Sequence, residues 1–334
     1  MPSNQNRDKE HIEQDLFLAK TAVVGGGLMG SQITLVLALG SSETVLTSRR
    51  QETLDAAMDN IRRYAEDLQR HGQLRGETAK AVTDRIRTTT KLEEAVESAE
   101  FVVESITENL EAKQKTFERM DSVAPREAIL ASNTSGLPIT TLGALMNHQD
   151  RIAGSHFFQP AHIVPVVEVI RGQKTSDAAI DRSCEIWKRL DKITLVVNKD
   201  VPGFLCNRLQ HAVIREAVHL LVSGVAEAEA IDLAVELGLS PRFTTAGPLK
   251  QRDINGLKMH VQVAEHLWKH LGGWEEPLAY LQAMVERGEL GLPSGKGYYD
   301  WSGMDPSSVR SEKDEHLLRR TEQVMADYYS RKAH

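Results

Sequence analysis

The feature that most limits how this chain can fold is a glycine turn, Gly25-Gly-Gly27-Leu-Met-Gly30, set between a β-branched run and an apolar segment. Thr21-Ala-Val-Val-Gly25 predicts a strand, and Leu28 to Leu39 predicts the helix that follows. A G-x-G-x-x-G pattern alone is weak, but a strand before it and a helix after it place it inside one βαβ unit. Gly25 then permits the tight turn, Gly27 lets backbone approach a pyrophosphate, and Gly30 allows close helix–strand packing. The first helical turn, with Leu28, Met29 and Gly30, offers its amides and the positive end of its dipole to an anion. The turn predicts a dinucleotide site.

The rest of the first two thirds continues the same alternation after a polar leader over residues 1–18. Strands are predicted at Thr44 to Thr47, Phe101 to Ser105, Ala128 to Ala131, Ile152 to Phe157, Val166 to Ile170 and Thr194 to Val197. Helical spacing marks Gln51 to His71, Leu110 to Val123 and Ser176 to Leu190. This pattern predicts an α/β Rossmann-type domain over residues 19–200, with a doubly wound, mostly parallel sheet. Beyond Val201-Pro-Gly203 only helical periodicity remains, at Phe204 to Val222, Ala226 to Leu237, Leu257 to Leu271 and Glu275 to Gly288. Residues 201–334 are therefore expected to form an all-α domain. Two domains also suit a chain of 334 residues.

An NAD site normally ends its second strand on an acidic residue that holds the adenosine ribose. Eighteen residues past Gly30 stands Ser48, followed by Arg49 and Arg50. Serine tolerates a 2′-phosphate that a carboxylate would repel, and an arginine can pair with one. NADP(H) is accordingly favoured over NAD(H). The alternative is that both arginines are ordinary solvated residues at a helix start and NAD(H) is used.

A second constellation concerns proton transfer. Glu168 lies in Val166-Val-Glu-Val-Ile170, where a carboxylate is costly unless paired. Twelve residues upstream, His156 stands at the end of the preceding predicted strand. A His–carboxylate pair orients an imidazole for general acid–base work on a carbonyl or alcohol. Ser132-Asn-Thr-Ser135 follows another strand, at the edge where open α/β sheets bind ligands; a polar turn or helix cap is the alternative. Asn207 falls in the first turn of the helix after the domain junction. His266 and His270, spaced i, i+4, lack a third ligand, and His156 with His162 does no better, so no metal site is predicted.

Composition excludes other partners. Forty basic against forty-seven acidic residues give a net charge of −7, which argues against a nucleic-acid surface or an anionic-membrane anchor. Met1 to Asp15 shows no signal-peptide pattern, and no apolar run reaches the ~20 residues of a membrane span. Two cysteines, Cys184 and Cys206, make no disulfide framework and suit a cytoplasmic protein.

Eight stretches in order resemble the 3-hydroxyacyl-CoA dehydrogenase family, from about Lys20 to Ser302. They are Gly25 to Gly30, Glu104-x3-Glu108-Asn109-x3-Lys113, Ala131-Ser-Asn-Thr-Ser135 and Gly154-Ser-His-Phe-Phe-Gln-Pro160. Val167-Glu-Val-Ile170, Pro202-Gly-Phe-x2-Asn-Arg208, Gly247-Pro-x4-Asp253-x2-Gly-Leu257 and Ser294-Gly-Lys-Gly-Tyr-Tyr-Asp-Trp301 complete the series. The resemblance implies a two-domain enzyme, a homodimer built through the helical domain, interconverting 3-hydroxyacyl and 3-oxoacyl groups with a CoA thioester as the expected substrate. It implies that His156 exchanges a proton with the 3-oxygen while hydride moves to or from nicotinamide, that Glu168 holds His156, and that Ser135 and Asn207 bond the reacting or acyl oxygen. Glu108, Lys113 and Gln159 match positions near the cofactor. Four departures stand out: Ser48 for the acidic residue, Gln159 for an Asn, Pro293 for a Lys and Lys258 for an Asp. Non-CoA relatives acting on gulonate or carnitine, and non-catalytic λ-crystallins, supply the alternative expectations.

Overall fold

The structure, a computed structural model, describes residues 17–255, 257–273 and 275–332. Up to residue 16 the predicted leader lies outside the described residues. The chain divides into two compact units, one ending at Leu205 and the other starting at Cys206.

The first unit is built on eight strands: β1 (Leu18–Val24), β2 (Ser41–Thr47), β3 (Ile86–Thr89), β4 (Phe101–Glu104), β5 (Ile129–Ser132), β6 (Ile152–Phe157), β7 (Val166–Ile170) and β8 (Ile193–Val197). They form one sheet in the order β3-β2-β1-β4-β5-β6-β7-β8. Every neighbouring pair is parallel except β6 with β7, which run antiparallel. The chain winds from β1 outward to β3, then returns to β4 on the other side of β1. That reversal opens a crevice at the carboxyl ends of β1 and β4, the place where such sheets bind ligands. The expected doubly wound α/β architecture is present.

The helices follow from their patterns. Leu28–Ala38 is buried along its whole length from Gly30 onward, as an almost wholly apolar segment requires. Gln51–Arg70 instead buries one stripe, Leu54, Ala57, Ile61, Ala65 and Leu68, and leaves its charged face in water. Leu110–Val123 starts where the Asn109 side chain accepts from the Ala112 amide at 2.9 Å. Its Phe117 and Met120 pack into a core with Ala22, Val102, Leu130 and Ile152 of the sheet.

In the first unit strand β3 and the short helices Ala79–Thr83, Leu92–Val96 and Ile139–Leu142 escaped the hydropathy pattern. Strand β3, Ile-Arg-Thr-Thr, has one apolar residue because it pairs only with β2 at the sheet edge. The short helix Ala79–Thr83 before it buries Val82 alone.

The second unit is helical: Cys206–Val222, Ala228–Leu233, Ser240–Thr245, Pro248–Asn255, Leu257–Leu267, Glu275–Glu286 and Pro306–Lys332. The predicted helix over Ala226 to Leu237 is shorter, passing into a π-helical turn over Ala234–Leu239. The first helix starts two residues later than predicted, because Phe204 has a positive φ of 49°. The long final helix was not expected, its polar sequence carrying no clear apolar stripe. No helix of the described residues is long and apolar enough to cross a membrane.

One buried ion pair anchors the entry to β6. Asp121 Oδ1 accepts from Arg151 Nη2 at 2.8 Å and Nε at 3.0 Å, while its Oδ2 accepts from the amides of Asn147 and His148 at 2.7 and 3.1 Å. Burial pushes the Asp121 carboxyl up, but Arg151 and the two amides outweigh it and hold it below its usual range. The folded protein therefore takes up this proton less readily than the unfolded chain. The resulting stability is present above about pH 4 and fades as pH falls through the lower folded value. Asp121→Asn should cost about 3 kcal/mol in urea unfolding at pH 7 by stranding Arg151. The cost should shrink on acidification.

Candidate active site

His156 is the next-to-last residue of β6 and Glu168 lies in β7, and the antiparallel register sets them directly opposite each other. His156 Nδ1 and Glu168 Oε2 are 2.6 Å apart, with the residues 3% and 0% exposed. A carboxylate can only accept, so Nδ1 holds the shared proton and Nε2 is left to exchange one. The second oxygen, Glu168 Oε1, accepts from the Leu205 amide at 3.0 Å. Phe158 and Phe204 flank the imidazole, with ring centroids 4.7 and 5.8 Å away. A bulky residue at positive φ is strained. Here that conformation belongs to Phe204, beside the amide that reaches Glu168.

A second buried network lies under the Ser132–Ser135 turn. Lys113 Nζ donates to Glu104 Oε1 at 2.6 Å and stands 3.3 Å from Glu108 Oε2. Glu104 Oε2 accepts from Ser132 Oγ at 2.7 Å on the neighbouring strand. Glu108 Oε1 in turn accepts from the Thr134 hydroxyl and from the Ser135 amide. Asn133 accepts from the Phe157 amide at 2.9 Å, one residue after the histidine. Glu108 and Lys113 thus brace the turn that presents Ser135, an exposed residue. Sequence reasoning assigned no task to Glu104, Asn133, Phe204 or Leu205. Glu104 had a usable signal, a carboxylate closing an apolar strand, which is the logic that singled out Glu168. The backbone roles of Phe204 and Leu205 had none.

The glycine turn lines a cavity of about 510 Å³, with Gly25, Gly26 and Gly27 on one side and Ser48, Arg49 and Arg50 on another. Gly25 has φ of 121°, and a Cβ there would meet the Ser105 carbonyl at 2.4 Å. A Cβ on Gly30 would meet the Gly25 carbonyl at 1.8 Å, so only glycine lets the helix start this close to the strand. Nothing lies within 4 Å of where a Gly27 side chain would stand, which leaves room over the helix start. That helix has no acidic residue in its first turn and no side chain capping it. Leu28 and Met29 occupy the same turn. These features fit a dinucleotide pyrophosphate. Arg119 also lines the cavity, and its lining includes three arginines and no carboxylate.

Not every predicted residue joins these clusters. Gln159 is exposed on the turn after β6. Asn207 lies in the first turn of Cys206–Val222, in the second unit. Among the described residues no group of three metal-ligating side chains occurs.

Residues 20–201 match the model of the 3-hydroxyacyl-CoA dehydrogenase NAD-binding domain, and residues 203–301 match that of the family's C-terminal domain. The chain belongs to the 3-hydroxyacyl-CoA dehydrogenase family. It is 35% identical to the "Probable 3-hydroxybutyryl-CoA dehydrogenase" of Bacillus subtilis over 84% of this chain and 96% of that protein. It is 34% identical to the 3-hydroxybutyryl-CoA dehydrogenase of Bradyrhizobium diazoefficiens, covering 88% of this chain and 99% of the relative. Among solved structures, an NAD+-dependent 5-formyl-3-hydroxy-2-methylpyridine 4-carboxylic acid 5-dehydrogenase superposes with a TM-score of 0.85 at 27% identity, covering 92% of this chain and 99% of that one.

The 3-hydroxyacyl-CoA dehydrogenase family interconverts 3-hydroxyacyl and 3-oxoacyl groups with a nicotinamide dinucleotide. The oxidoreductase expected from the sequence is therefore favoured over a non-catalytic protein. The Glu104–Lys113 pair, 0% and 1% exposed, can be tested for the stability it implies. Lys113→Met should cost about 3–5 kcal/mol in equilibrium unfolding, because it strands a buried carboxylate. Adding Glu104→Gln should recover part of that loss.

Proposed function

We propose that this dehydrogenase acts on a 3-hydroxyacyl or 3-oxoacyl CoA thioester, with His156 as the proton carrier and NADP(H) favoured over NAD(H). The observation behind the mechanism is the buried His156–Glu168 pair at 2.6 Å in the unit that carries the glycine turn. In the direction of reduction, His156 Nε2 gives a proton to the 3-oxygen; in oxidation it takes one from the 3-hydroxyl. Glu168 holds the ring through Nδ1 and balances the charge when both nitrogens are protonated. A bound nicotinamide dinucleotide supplies or accepts the hydride. Ser135 and Asn207 hydrogen-bond the reacting or acyl oxygen, and the braced turn under Ser135 keeps its backbone in place. Gln159, exposed on the turn after β6, is read as a further cofactor contact.

The cofactor preference rests on the cavity beside the glycine turn. Ser48 stands where a ribose-binding carboxylate would repel a 2′-phosphate, and Arg49 and Arg50 offer positive charge. The chain is also read as a cytoplasmic homodimer. Exposed Leu209, Val213 and Ile214 on Cys206–Val222 support a subunit contact, and a chain with only two cysteines, Cys184 and Cys206, suits a reducing compartment. A second reading, a small non-CoA acid or aldehyde as substrate, draws on the likeness to the pyridine-carboxylate dehydrogenase.

A screen with NADPH and NADH over acetoacetyl-CoA, free 3-oxo acids, cyclic 1,3-diketones and a pyridine aldehyde separates the readings. Turnover of acetoacetyl-CoA is the expected result; activity confined to the free acids or aldehyde selects the second reading, and none at all overturns both. His156→Gln should lower kcat by about 10²–10⁴-fold while dinucleotide binding stays near normal. Equal turnover by this variant would rule out the histidine mechanism. Ser48→Asp should weaken NADPH binding by about 1–3 kcal/mol relative to NADH. A wild-type protein that binds NADH more tightly in side-by-side titrations contradicts the cofactor preference.

A further inference from the structure

The connection that joins the two strands of the proton-transfer pair is long. β6 ends at Phe157 and β7 starts at Val166, so residues 158–165 intervene. Hairpin loops that set register by themselves have about 2–5 residues. A slip of one residue would face His156 with Val167 or Val169 in place of Glu168 and send the carboxylate to the other face of the sheet. Something besides the turn must hold this connection.

Ala161, fully buried at the middle of the connection, is gripped from two sides. Its amide donates to Gln32 Oε1 at 2.8 Å, and Gln32 is a buried residue of Leu28–Ala38, the helix that opens at the glycine turn. Its carbonyl accepts from Lys192 Nζ at 2.8 Å, and the same amine donates to the Val164 carbonyl at 2.9 Å. Lys192 is itself fixed at the start of β8: its amide donates to the Trp187 carbonyl, and the next amide, of Ile193, donates to the Pro165 carbonyl at 2.7 Å. The Pro160 carbonyl accepts from the amides of Ile163 and Val164, completing the fold of the turn.

We propose that Lys192 is a positioning residue for the reaction, its amine clamping the 158–165 connection so that His156 keeps its place against Glu168 and the glycine-turn helix. This rests on the proton-carrier reading of His156. Lys192 is 8% exposed and meets two backbone carbonyls and no carboxylate in hydrogen-bond contact. Burial lowers its amine to about 7, with the neighbouring Asp191 acting the other way. The adjoining His162, stacked on Tyr64 at 4.5 Å, is pushed down to about 3 by burial, with Lys192 and Arg63 adding to the effect. A lysine amine has at least two N–H groups in either charge state, so both carbonyls stay satisfied as it titrates. The clamp depends on donors, not on charge. A neutral side chain with two N–H groups can therefore stand in for it.

Lys192→Met and Lys192→Gln separate this role from plain stability. In acetoacetyl-CoA reduction, with active sites counted by dinucleotide titration, the Met variant should lose kcat by about 10–100-fold while both KM values change little. The Gln variant should recover most of the loss. Hydrogen exchange should quicken at residues 157–165 in the Met variant, with β1, β2 and β4 as protected as before. If the Met variant melts earlier but keeps wild-type kcat per site and wild-type exchange in this segment, Lys192 is structural only and the proposal fails. Should the Met variant not fold, Gln32→Leu loosens Ala161 from the opposite side and is read by the same two measurements, with the same outcomes deciding. A wild-type protein inactive on the thioester would strike the proposed function alone, because hydrogen exchange still decides the clamp.

Discussion

A single reversal of strand direction brings His156 and Glu168 together. Six strands run one way, and β7 turns back beside β6. The antiparallel register sets Glu168 opposite the histidine, and both are buried, so a pair that would be weak at the surface lies where water neither screens nor competes. Burial makes the pairing obligatory too: an unpartnered carboxylate inside a strand would be costly, and the imidazole, the Leu205 amide and the packing of Phe204 answer that need together.

The same logic recurs one strand pair away. Glu104 closes β4 as a buried carboxylate, and Lys113, nine residues on in the next helix, neutralises it. Glu108, itself partly exposed, stands 3.3 Å from that amine and accepts from the Thr134 hydroxyl and the Ser135 amide. The Thr134–Ser135 turn and the Leu205 amide are therefore both tied to carboxylates, Glu108 and Glu168. The open cavity beside the glycine turn has the opposite character, being lined by arginines and hydroxyls, and suits a polyanion in a chain of net charge −7. Whole-chain charge says little about a local cleft.

Much of the fold was legible because parallel strands buried on both faces leave short apolar runs, and the helices between them leave stripes. The strands that bear the site, β1, β4, β5, β6 and β7, all belong to that class. What stayed hidden was what burial does not mark. β3 is a half-exposed edge, and Pro306–Lys332 is a polar helix whose 27 residues show no stripe to read. The start of Cys206–Val222 was misjudged for a different reason, since hydropathy does not report the positive φ of Phe204.

The His156–Glu168 pair and the glycine turn could be named from sequence because each violates or satisfies a local rule: a carboxylate in an apolar strand, a glycine where a Cβ would clash. Local rules act over a few residues and are written in the chain. Tertiary structure alone decided that β7 runs against β6, that the Leu205 amide reaches Glu168, and that Gln32 and Lys192 grip Ala161 from opposite sides. Those contacts join segments up to 129 positions apart through backbone groups that every residue shares. Nothing in residue type distinguishes an amide that will find a buried acceptor from one that will face water.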